Sequence, residues 1–255
     1  MNNKYRKPHQ FKRRKSFLRN RFFWLSILIV SALSGFLYFL FFSDTFQIKE
    51  IRVEGEKEVS EERIISLFPL KNIFLVDLAG IKNDILNKFP QIEEAEIKRK
   101  FTDAIEVKIL ERTAAANWCK GEKCFLLDAN GIVFKEVSEN GFCKIGDIQN
   151  SEFSLGEKMI EEEELSQILK VSGQLESSLG LSLERFLIFS EDKLAAKTTE
   201  GWEIYFNLQK DQKDIDWQLV KLRAVLEEKI PSENRKDLEY IELRFGNFAP
   251  YKYKD

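Results

Sequence analysis

A run of 21 uncharged residues at positions 22–42 limits what this chain can fold into more than any other feature. About 20 apolar residues in a helix are enough to cross a hydrocarbon core of about 30 Å. Nine basic residues and no acidic residue occupy positions 1–21, directly before this run. By the positive-inside rule, this order predicts a basic cytoplasmic tail (1–21), a transmembrane helix (22–43) and an exported remainder.

Two other interpretations of the amino-terminal region stay open. Nine cations would also suit the binding of nucleic acid or anionic lipid. The second interpretation is that the region is a cleaved signal peptide, although the apolar core of such a peptide normally spans only about 7–15 residues. Here the run is longer and ends in Phe41, Phe42, Ser43 and Asp44, which make a poor cleavage site. We therefore expect a retained anchor.

The composition of the exported part argues against the common catalytic sites. Without the nine basic residues of the tail, 31 basic residues face 42 acidic ones, a net charge of −11. The only histidine, His9, lies in the tail, which removes Ser-His-Asp and Cys-His catalysis and the usual zinc sites from the exported part. No glycine-rich phosphate loop is present. We expect no catalytic residue, no metal, no cofactor, no small-molecule substrate and no nucleic-acid partner.

One set of short motifs resembles that of penicillin-binding enzymes and leaves a membrane-anchored cell-wall enzyme as an alternative function. Ser190 and Lys193 fit S-x-x-K, Ser138 and Asn140 fit S-x-N, and residues 197–199 approximate K-T-G. The S-x-N element comes first, however, and Ser190 lies between two predicted strands instead of opening a helix. We interpret these motifs as polar turns.

Hydrophobic periodicity over residues 47–110 predicts the order β-α-α-β-β, with two helices on one face of a sheet. The strands are expected at 47–53, 92–100 and around the strict alternation of Ile105, Val107 and Ile109. Ser60 and Asp77 are the expected helix caps. The following part is richer in strands, and its expected elements are extended segments at 114–118 and 125–137, helices at 161–179 and 211–229, and strands at 183–189, 193–199, 202–206 and 239–245.

Two cysteines flank the expected tip of a hairpin. Cys119 and Cys124 enclose four residues, and facing positions of a hairpin can approach disulfide geometry. An exported domain permits oxidation. We predict a bond between Cys119 and Cys124 that leaves Cys143 as a buried free thiol, although Cys143 could also pair with either of the others.

Six segments in order resemble the FtsQ/DivIB family of bacterial cell-division proteins. They begin at Ile51, Asn72, Pro90, Glu111, Asp128 and Ile241 and read IRVEG, NIFLVD, PQIEEAEI, ER followed by AAANW, DANGIVF and IELRF. The resemblance covers nearly the whole exported part. It implies an α+β fold: an N-terminal transmembrane helix, a POTRA domain (44–113), and a mixed β-rich domain with two helices (114–255).

The resemblance also implies a function and partners. A family member would be a divisome scaffold in the cytoplasmic (inner) membrane at the division septum, bound outside the cytoplasm to FtsB/DivIC-like and FtsL-like proteins. Through them it would help control septal peptidoglycan synthesis. A POTRA-bearing translocation or assembly factor is a further alternative, but such proteins carry several POTRA repeats and a membrane β-barrel.

The final predicted strand, residues 239–245, is the expected partner site. Alternation turns Ile241, Leu243 and Phe245 toward the core, and a terminal strand with an open edge can pair with a partner segment. Pro250 cannot donate to such a ladder, so pairing there should be weak or absent. Aromatic residues beyond the strand suit an interface. The expected partner-binding residues are Tyr240, Glu242, Arg244, Phe245, Phe248, Tyr251 and Tyr253.

Overall fold

The computed structural model describes residues 21–55, 57–69, 71–138, 141–148, 152–190, 192–208 and 212–254. Five α-helices lie in these ranges: α1 (Arg21–Phe42), α2 (Glu61–Ile65), α3 (Leu78–Lys88), α4 (Glu162–Leu179) and α5 (Gln212–Glu228). The first seven strands are β1 (Glu50–Glu54), β2 (Ile92–Lys100), β3 (Ala104–Glu111), β4 (Ala114–Lys120), β5 (Lys123–Asp128), β6 (Val133–Val137) and β7 (Lys144–Asp147). The other five are β8 (Leu183–Ser190), β9 (Lys193–Thr198), β10 (Glu203–Phe206), β11 (Leu238–Glu242) and β12 (Tyr251–Tyr253).

Helix α1 consists of Arg21 and the uncharged run of residues 22–42 that was anticipated from the sequence. It is 22 residues long with a mean hydropathy of 2.3, and none of the most apolar 18-residue window is buried against the rest of the protein. A helix with apolar side chains all around and no protein cover is suited to a lipid environment. Within the described residues α1 is the one helix long and apolar enough to span a membrane.

The first sheet has three strands in the order β1-β3-β2. β1 runs parallel to β3, and β2 runs antiparallel to it. Ile105, Val107 and Ile109 alternate into the core of this unit as expected. The carboxylate of Asp77 caps α3 by accepting hydrogen bonds from the backbone amides of Ala79 and Gly80. The β-α-α-β-β order predicted from periodicity is confirmed.

The second sheet has nine strands in the order β12-β11-β10-β9-β8-β7-β4-β5-β6. Hairpin neighbours pair antiparallel, whereas β4 with β7, β7 with β8, and β10 with β11 pair parallel. Helices α4 and α5 contact each other and bury their apolar stripes in one core with the sheet; Leu165, Ile168, Leu175, Ile215, Leu222 and Leu226 are all in it. This is the expected mixed β-rich unit with two helices. The short strands β7 and β12 were not predicted from the sequence.

A buried ion pair joins the two sheets. The guanidinium of Arg112, which follows β3, donates to the carboxylate of Asp128 at the end of β5 at 2.5 Å, and it also donates to the carbonyl of Pro90 at 3.1 Å. The two side chains of the ion pair are only 12% and 3% exposed. Two of the motifs read in the sequence, one at Glu111 and one at Asp128, therefore meet at a single contact between the units.

Candidate functional site

The end of the nine-stranded sheet carries the residues expected to bind a partner. β11 pairs on one side with β10 and on the other with β12, with Tyr240 opposite Lys252 and Ile241 opposite Tyr251. The expectation that β11 has an open edge is therefore wrong. The chain turns back after β11 and covers that edge with its own last strand.

The open edge belongs to β12 instead. Backbone bonds at 2.8 Å run from the amide of Glu242 to the carbonyl of Pro250 and from the amide of Lys254 to the carbonyl of Asp237. Even-numbered residues of this segment thus bond toward β11. Because hydrogen-bonding directions alternate along an antiparallel strand, the amide and carbonyl groups of Tyr251 and Tyr253 point to the other side. In the described part of the chain, no strand lies beyond β12 in the sheet.

Proline does not prevent pairing at position 250, contrary to the expectation from its missing amide. Only a donor is lost, and the carbonyl of Pro250 still accepts from the amide of Glu242. The result is a short edge strand that begins directly after a proline.

The predicted alternation over 239–245 holds only in its first half. Ile241 and Leu243 are buried, but Phe245 is 55% exposed and Glu242 is only 7% exposed. β11 ends at Glu242, although the amide of Leu243 still donates to the carbonyl of Tyr205 at 3.0 Å. Beyond it, the carbonyls of Leu243 and Gly246 accept hydrogen bonds from the ammonium of Lys221 on α5 at 2.6 and 2.8 Å, so this segment is held by a helix side chain and the period of two does not continue.

Glu242 and Arg244 form one hydrogen-bonded unit beside the edge. The carboxylate of Glu242 accepts from the guanidinium of Arg244 at 2.9 and 3.0 Å and from the backbone amide of Arg244 at 3.2 Å. The hydrogen bond to Glu242 raises the pKa of Arg244, so the guanidinium stays charged at neutral pH. These two side chains brace each other, and the turn after β11 is held in one conformation.

Four aromatic side chains near the edge are exposed. The exposed fractions are 55% for Phe245, 77% for Phe248, 40% for Tyr251 and 37% for Tyr253. The rings of Tyr251 and Tyr253 contact each other edge to face, with centroids 5.8 Å apart. Exposed aromatic side chains beside an unpaired strand edge are the residue types that anchor protein interfaces.

A row of aromatic and basic side chains runs across strands β8 to β11, and it was not predicted from the sequence. The ring of Tyr240 on β11 contacts Tyr205 on β10 at 5.7 Å, and Tyr205 contacts Phe189 on β8 at 6.3 Å. The ammonium of Lys193 lies over the rings of Tyr205 and Phe189, 4.1 and 4.6 Å from their centroids. Burial, with the hydrogen bond to Glu203, raises the pKa of Tyr205 and keeps its hydroxyl protonated. Only the pairing of β8 to β11 brings these residues together.

The S-x-x-K motif occupies the turn between β8 and β9. The hydroxyl of Ser190 donates to the carboxylate of Asp192 at 2.6 Å, and this bond lowers the pKa of Asp192. The Lys193 ammonium is placed over the two aromatic rings. Both residues thus have structural partners in a polar turn. Asn140 of the S-x-N motif lies outside the described residues.

The two cysteines of the β4–β5 hairpin face each other across the strands. In the structure, Cys119 and Cys124 are joined by a disulfide. Cys143 is free and half-buried, and burial raises the pKa of its thiol to about 11, so it is protonated at neutral pH. Formation of the Cys119–Cys124 bond in the protein stays a prediction.

Residues 1–20, which include His9 and eight of the nine basic residues of the tail, lie outside the described part of the structure. Among the residues that are described, no group of three or more His, Cys, Asp or Glu side chains converges in a way that could hold a metal ion.

Comparisons with known proteins show which proteins this chain is similar to. Residues 46–112 match the family described as POTRA domain, FtsQ-type. A cell division protein DivIB from Clostridium tetani is 29% identical over 143 residues, which are 54% of this chain and 52% of the relative. A cell division protein DivIB from Clostridium acetobutylicum is 35% identical over 98 residues, which are 37% of this chain and 39% of the relative. The cell division protein FtsQ of Chloroflexus aurantiacus is 33% identical over 113 residues, 43% of this chain and 41% of the relative. The matches thus span about half of these relatives' length, or less.

Proposed function

We propose, because this chain belongs to the FtsQ/DivIB family of cell-division proteins, that it is a non-enzymatic scaffold of the divisome. It binds FtsB/DivIC-like and FtsL-like proteins outside the cytoplasm and through them helps control septal peptidoglycan synthesis. The domain limits that go with this proposal are 44–113 for the POTRA domain and 114–255 for the β-rich domain.

The proposed location follows from α1 and the charge on either side of it. The basic tail stays in the cytoplasm, α1 crosses the inner membrane once, and residues 44–255 lie outside. Protease added to spheroplasts should digest the bulk of the chain and leave a fragment that contains residues 21–43. A chain that resists protease until the cells are lysed would contradict this topology.

The observation that carries the proposed binding mode is the free edge of β12. Tyr251 and Tyr253 direct their amide and carbonyl groups away from β11, so a partner segment can add a strand there. Apolar contact would come from the two tyrosine rings of β12 and from Phe245 and Phe248, which precede β12 by a few residues in the sequence. Tyr240, Glu242 and Arg244, the other expected partner-binding residues, lie on β11 and the turn that follows it, next to this strand.

Proline substitution at Tyr253 tests this mode directly. Tyr253→Pro removes an amide that points to the free edge and leaves the bonds between β12 and β11 intact. Tyr253→Ala is the matched control, because it removes the same ring and keeps the amide. One lost backbone hydrogen bond corresponds to about 1 kcal/mol, or roughly a fivefold loss of affinity, and the proline ring adds a steric block.

The measurement is a titration of the full-length chain in detergent with the FtsB-like and FtsL-like partners, beside a thermal melt of each variant. We expect Tyr253→Pro to bind more weakly than Tyr253→Ala at an equal melting temperature. Replacing Phe248 and Tyr251 together by alanine should also weaken binding without unfolding the protein. Equal affinities for all folded variants would place the partner site elsewhere.

A further inference from the structure

An exposed apolar patch lies at the end of the three-stranded unit nearest to α1. Its members are Phe74, Leu75 and Phe101, which are 39%, 59% and 72% exposed. The buried ring of Phe46 lies beneath the patch, 5.4 Å from the ring of Phe74 and 5.8 Å from that of Phe101. The rings of Phe74 and Phe101 are 5.9 Å apart, so the patch is continuous.

The patch is fixed relative to the end of α1. Phe46 also contacts the ring of Phe39, in the last turn of α1, at 5.8 Å. The side-chain amide of Asn72 donates to the carbonyls of Leu40 and Phe41 at 2.8 and 3.1 Å, which gives the last carbonyls of α1 a partner. Leu40 packs against the core of the unit. The helix and the unit therefore meet through several contacts and not through a loose linker.

The segment that carries Phe74 and Leu75 is itself held rigidly. The side-chain oxygen of Asn72 accepts a hydrogen bond from the backbone amide of Phe74 at 2.9 Å. Arg99 on β2 donates to the carbonyls of Ile73 and Val76 at 2.9 and 2.8 Å. The two apolar side chains are thus presented outward by a braced segment, at a position where folding alone gives them little to pack against.

We infer that Phe74, Leu75 and Phe101 insert into the interfacial region of the phospholipid bilayer that α1 crosses. Phe39 lies three residues before the end of α1, about 4.5 Å along the helix axis. The ring of Phe46 lies between Phe39 and the patch and contacts both. This places the patch at the level where the span leaves the hydrocarbon. Phenylalanine and leucine are among the side chains that surface-bound proteins bury at the boundary between headgroups and acyl chains, and large exposed apolar patches mark protein or membrane contacts.

The charges around the patch fit a headgroup layer. Lys71 next to Asn72 is exposed, and Lys49 and Lys100 extend from the same end of the sheet with most of their side chains in solvent. Asp103 and Glu106 pair with Lys49 and Lys100 at 3.4 and 3.3 Å, so the rim is close to neutral. Insertion would therefore depend on the apolar side chains and respond little to the charge of the lipid.

This inference rests on the proposed membrane anchor, and spin-label depth measurements can test the two separately. The full-length chain, with Cys143→Ala to remove the free thiol, is placed in phosphatidylcholine nanodiscs at one chain per disc. Single labels are attached through Leu75→Cys, Phe101→Cys, Leu33→Cys or Leu110→Cys. The Cys143→Ala parent without an added cysteine gives the background signal.

Two of these sites are controls. Leu33 is in the middle of α1 and reports whether the anchor is in lipid. Leu110 is as exposed as the patch residues, at 55%, but it lies near the opposite end of β3. Leu110 is six positions along the extended strand from Ala104, a distance of about 20 Å. A label at Leu110 should collide freely with a water-soluble nickel chelate.

Labels at Leu75 and Phe101 should lose collisions with the chelate and gain collisions with oxygen relative to the label at Leu110. Labels at both positions that match Leu110 while the Leu33 label is shielded would overturn the inference and leave the anchor intact. A Leu33 label open to the chelate would instead overturn the anchor itself. Because both patch positions are exposed, the substitutions should not prevent folding, and a melt of each variant checks this.

Discussion

Replacing Asp128 by asparagine tests how the two sheets are joined. One carboxylate oxygen of Asp128 pairs with Arg112, and the other accepts from the backbone amides of Asn130 and Ile132 at 3.0 and 2.9 Å. Asparagine keeps an oxygen for the two amides of the turn and puts an uncharged NH2 group, which cannot accept a hydrogen bond, where the carboxylate oxygen faces the guanidinium. Asp128→Asn therefore isolates the ion pair from the turn.

The expected loss of stability follows from the burial of this pair. Removing one partner of a buried ion pair costs about 3–5 kcal/mol, and a hydrogen bond to a charged group contributes about 1.5–3 kcal/mol. Arg112 keeps its bond to the carbonyl of Pro90, so we expect about 2–3 kcal/mol for Asp128→Asn. Asp128→Ala also removes the two amide contacts, each about 1 kcal/mol, and should cost about 4–5 kcal/mol.

Urea unfolding of the full-length chain in detergent, followed by tryptophan fluorescence, measures these losses. Three of the four tryptophans, Trp118, Trp202 and Trp217, lie in the nine-stranded unit. The fourth, Trp24, is in α1 and stays in the detergent, so the change in signal on unfolding reports the nine-stranded unit. Glu136→Gln is a matched control, because Glu136 lies in the adjoining β5–β6 hairpin and pairs with Lys123 in solvent, with side chains 56% and 71% exposed. An exposed pair of this kind contributes at most about 1 kcal/mol.

The reasoning would be refuted if Asp128→Asn lowered the unfolding midpoint no more than Glu136→Gln did, at an unchanged denaturant slope. That result would mean that the ion pair between the sheets adds nothing beyond a surface contact. A loss equal to that of Asp128→Ala would instead mean that asparagine fails to hold the turn.

Two further predictions concern the hairpin cysteines and one carboxylate. Thiol counting on the purified, non-reduced and denatured protein should find one free thiol, from Cys143; three free thiols would contradict the predicted Cys119–Cys124 bond. Burial tends to raise the pKa of Glu111, but hydrogen bonds from the amides of Lys57, Val59 and Glu58 outweigh it and lower that pKa. A lowered pKa in the folded state adds stability above the unfolded value of about 4.3, and this is lost as the pH falls through the folded value. The difference in unfolding free energy between the wild-type chain and Glu111→Gln should therefore shrink below about pH 4, and a difference that is constant with pH would contradict the assignment.

Much of the fold could be predicted because its signals are local. The strand β2 begins and ends at the expected residues, and α3 begins after its expected cap, Asp77. Helix α4 starts one residue later than expected and ends as expected at Leu179, before the left-handed Gly180, where φ is 62°. The expected start of α5, residue 211, lies outside the described residues. These elements have periods and caps that are legible within about 20 residues.

The candidate site was harder to predict because its strand edge is made by residues far apart in sequence. β12 has three residues and no internal pattern that could identify it, and it exists as a strand because β11 is beside it. The segment around Phe245 is held by Lys221, 24 residues earlier on α5, whose ammonium binds the carbonyls of Leu243 and Gly246. Neither contact leaves a local signal.

The sequence alone determined the apolar span, the charge asymmetry beside it, the β-α-α-β-β order of the three-stranded unit and the resemblance to a family of cell-division proteins. Each of these depends on residue type and on short-range periodicity, which the chain carries before it folds. Tertiary structure decided which strand has the free edge, that Arg112 meets Asp128, and that Phe74, Leu75 and Phe101 form one patch beside α1. These are juxtapositions of distant segments, and the free energy that selects them comes from packing and strand pairing over the whole molecule.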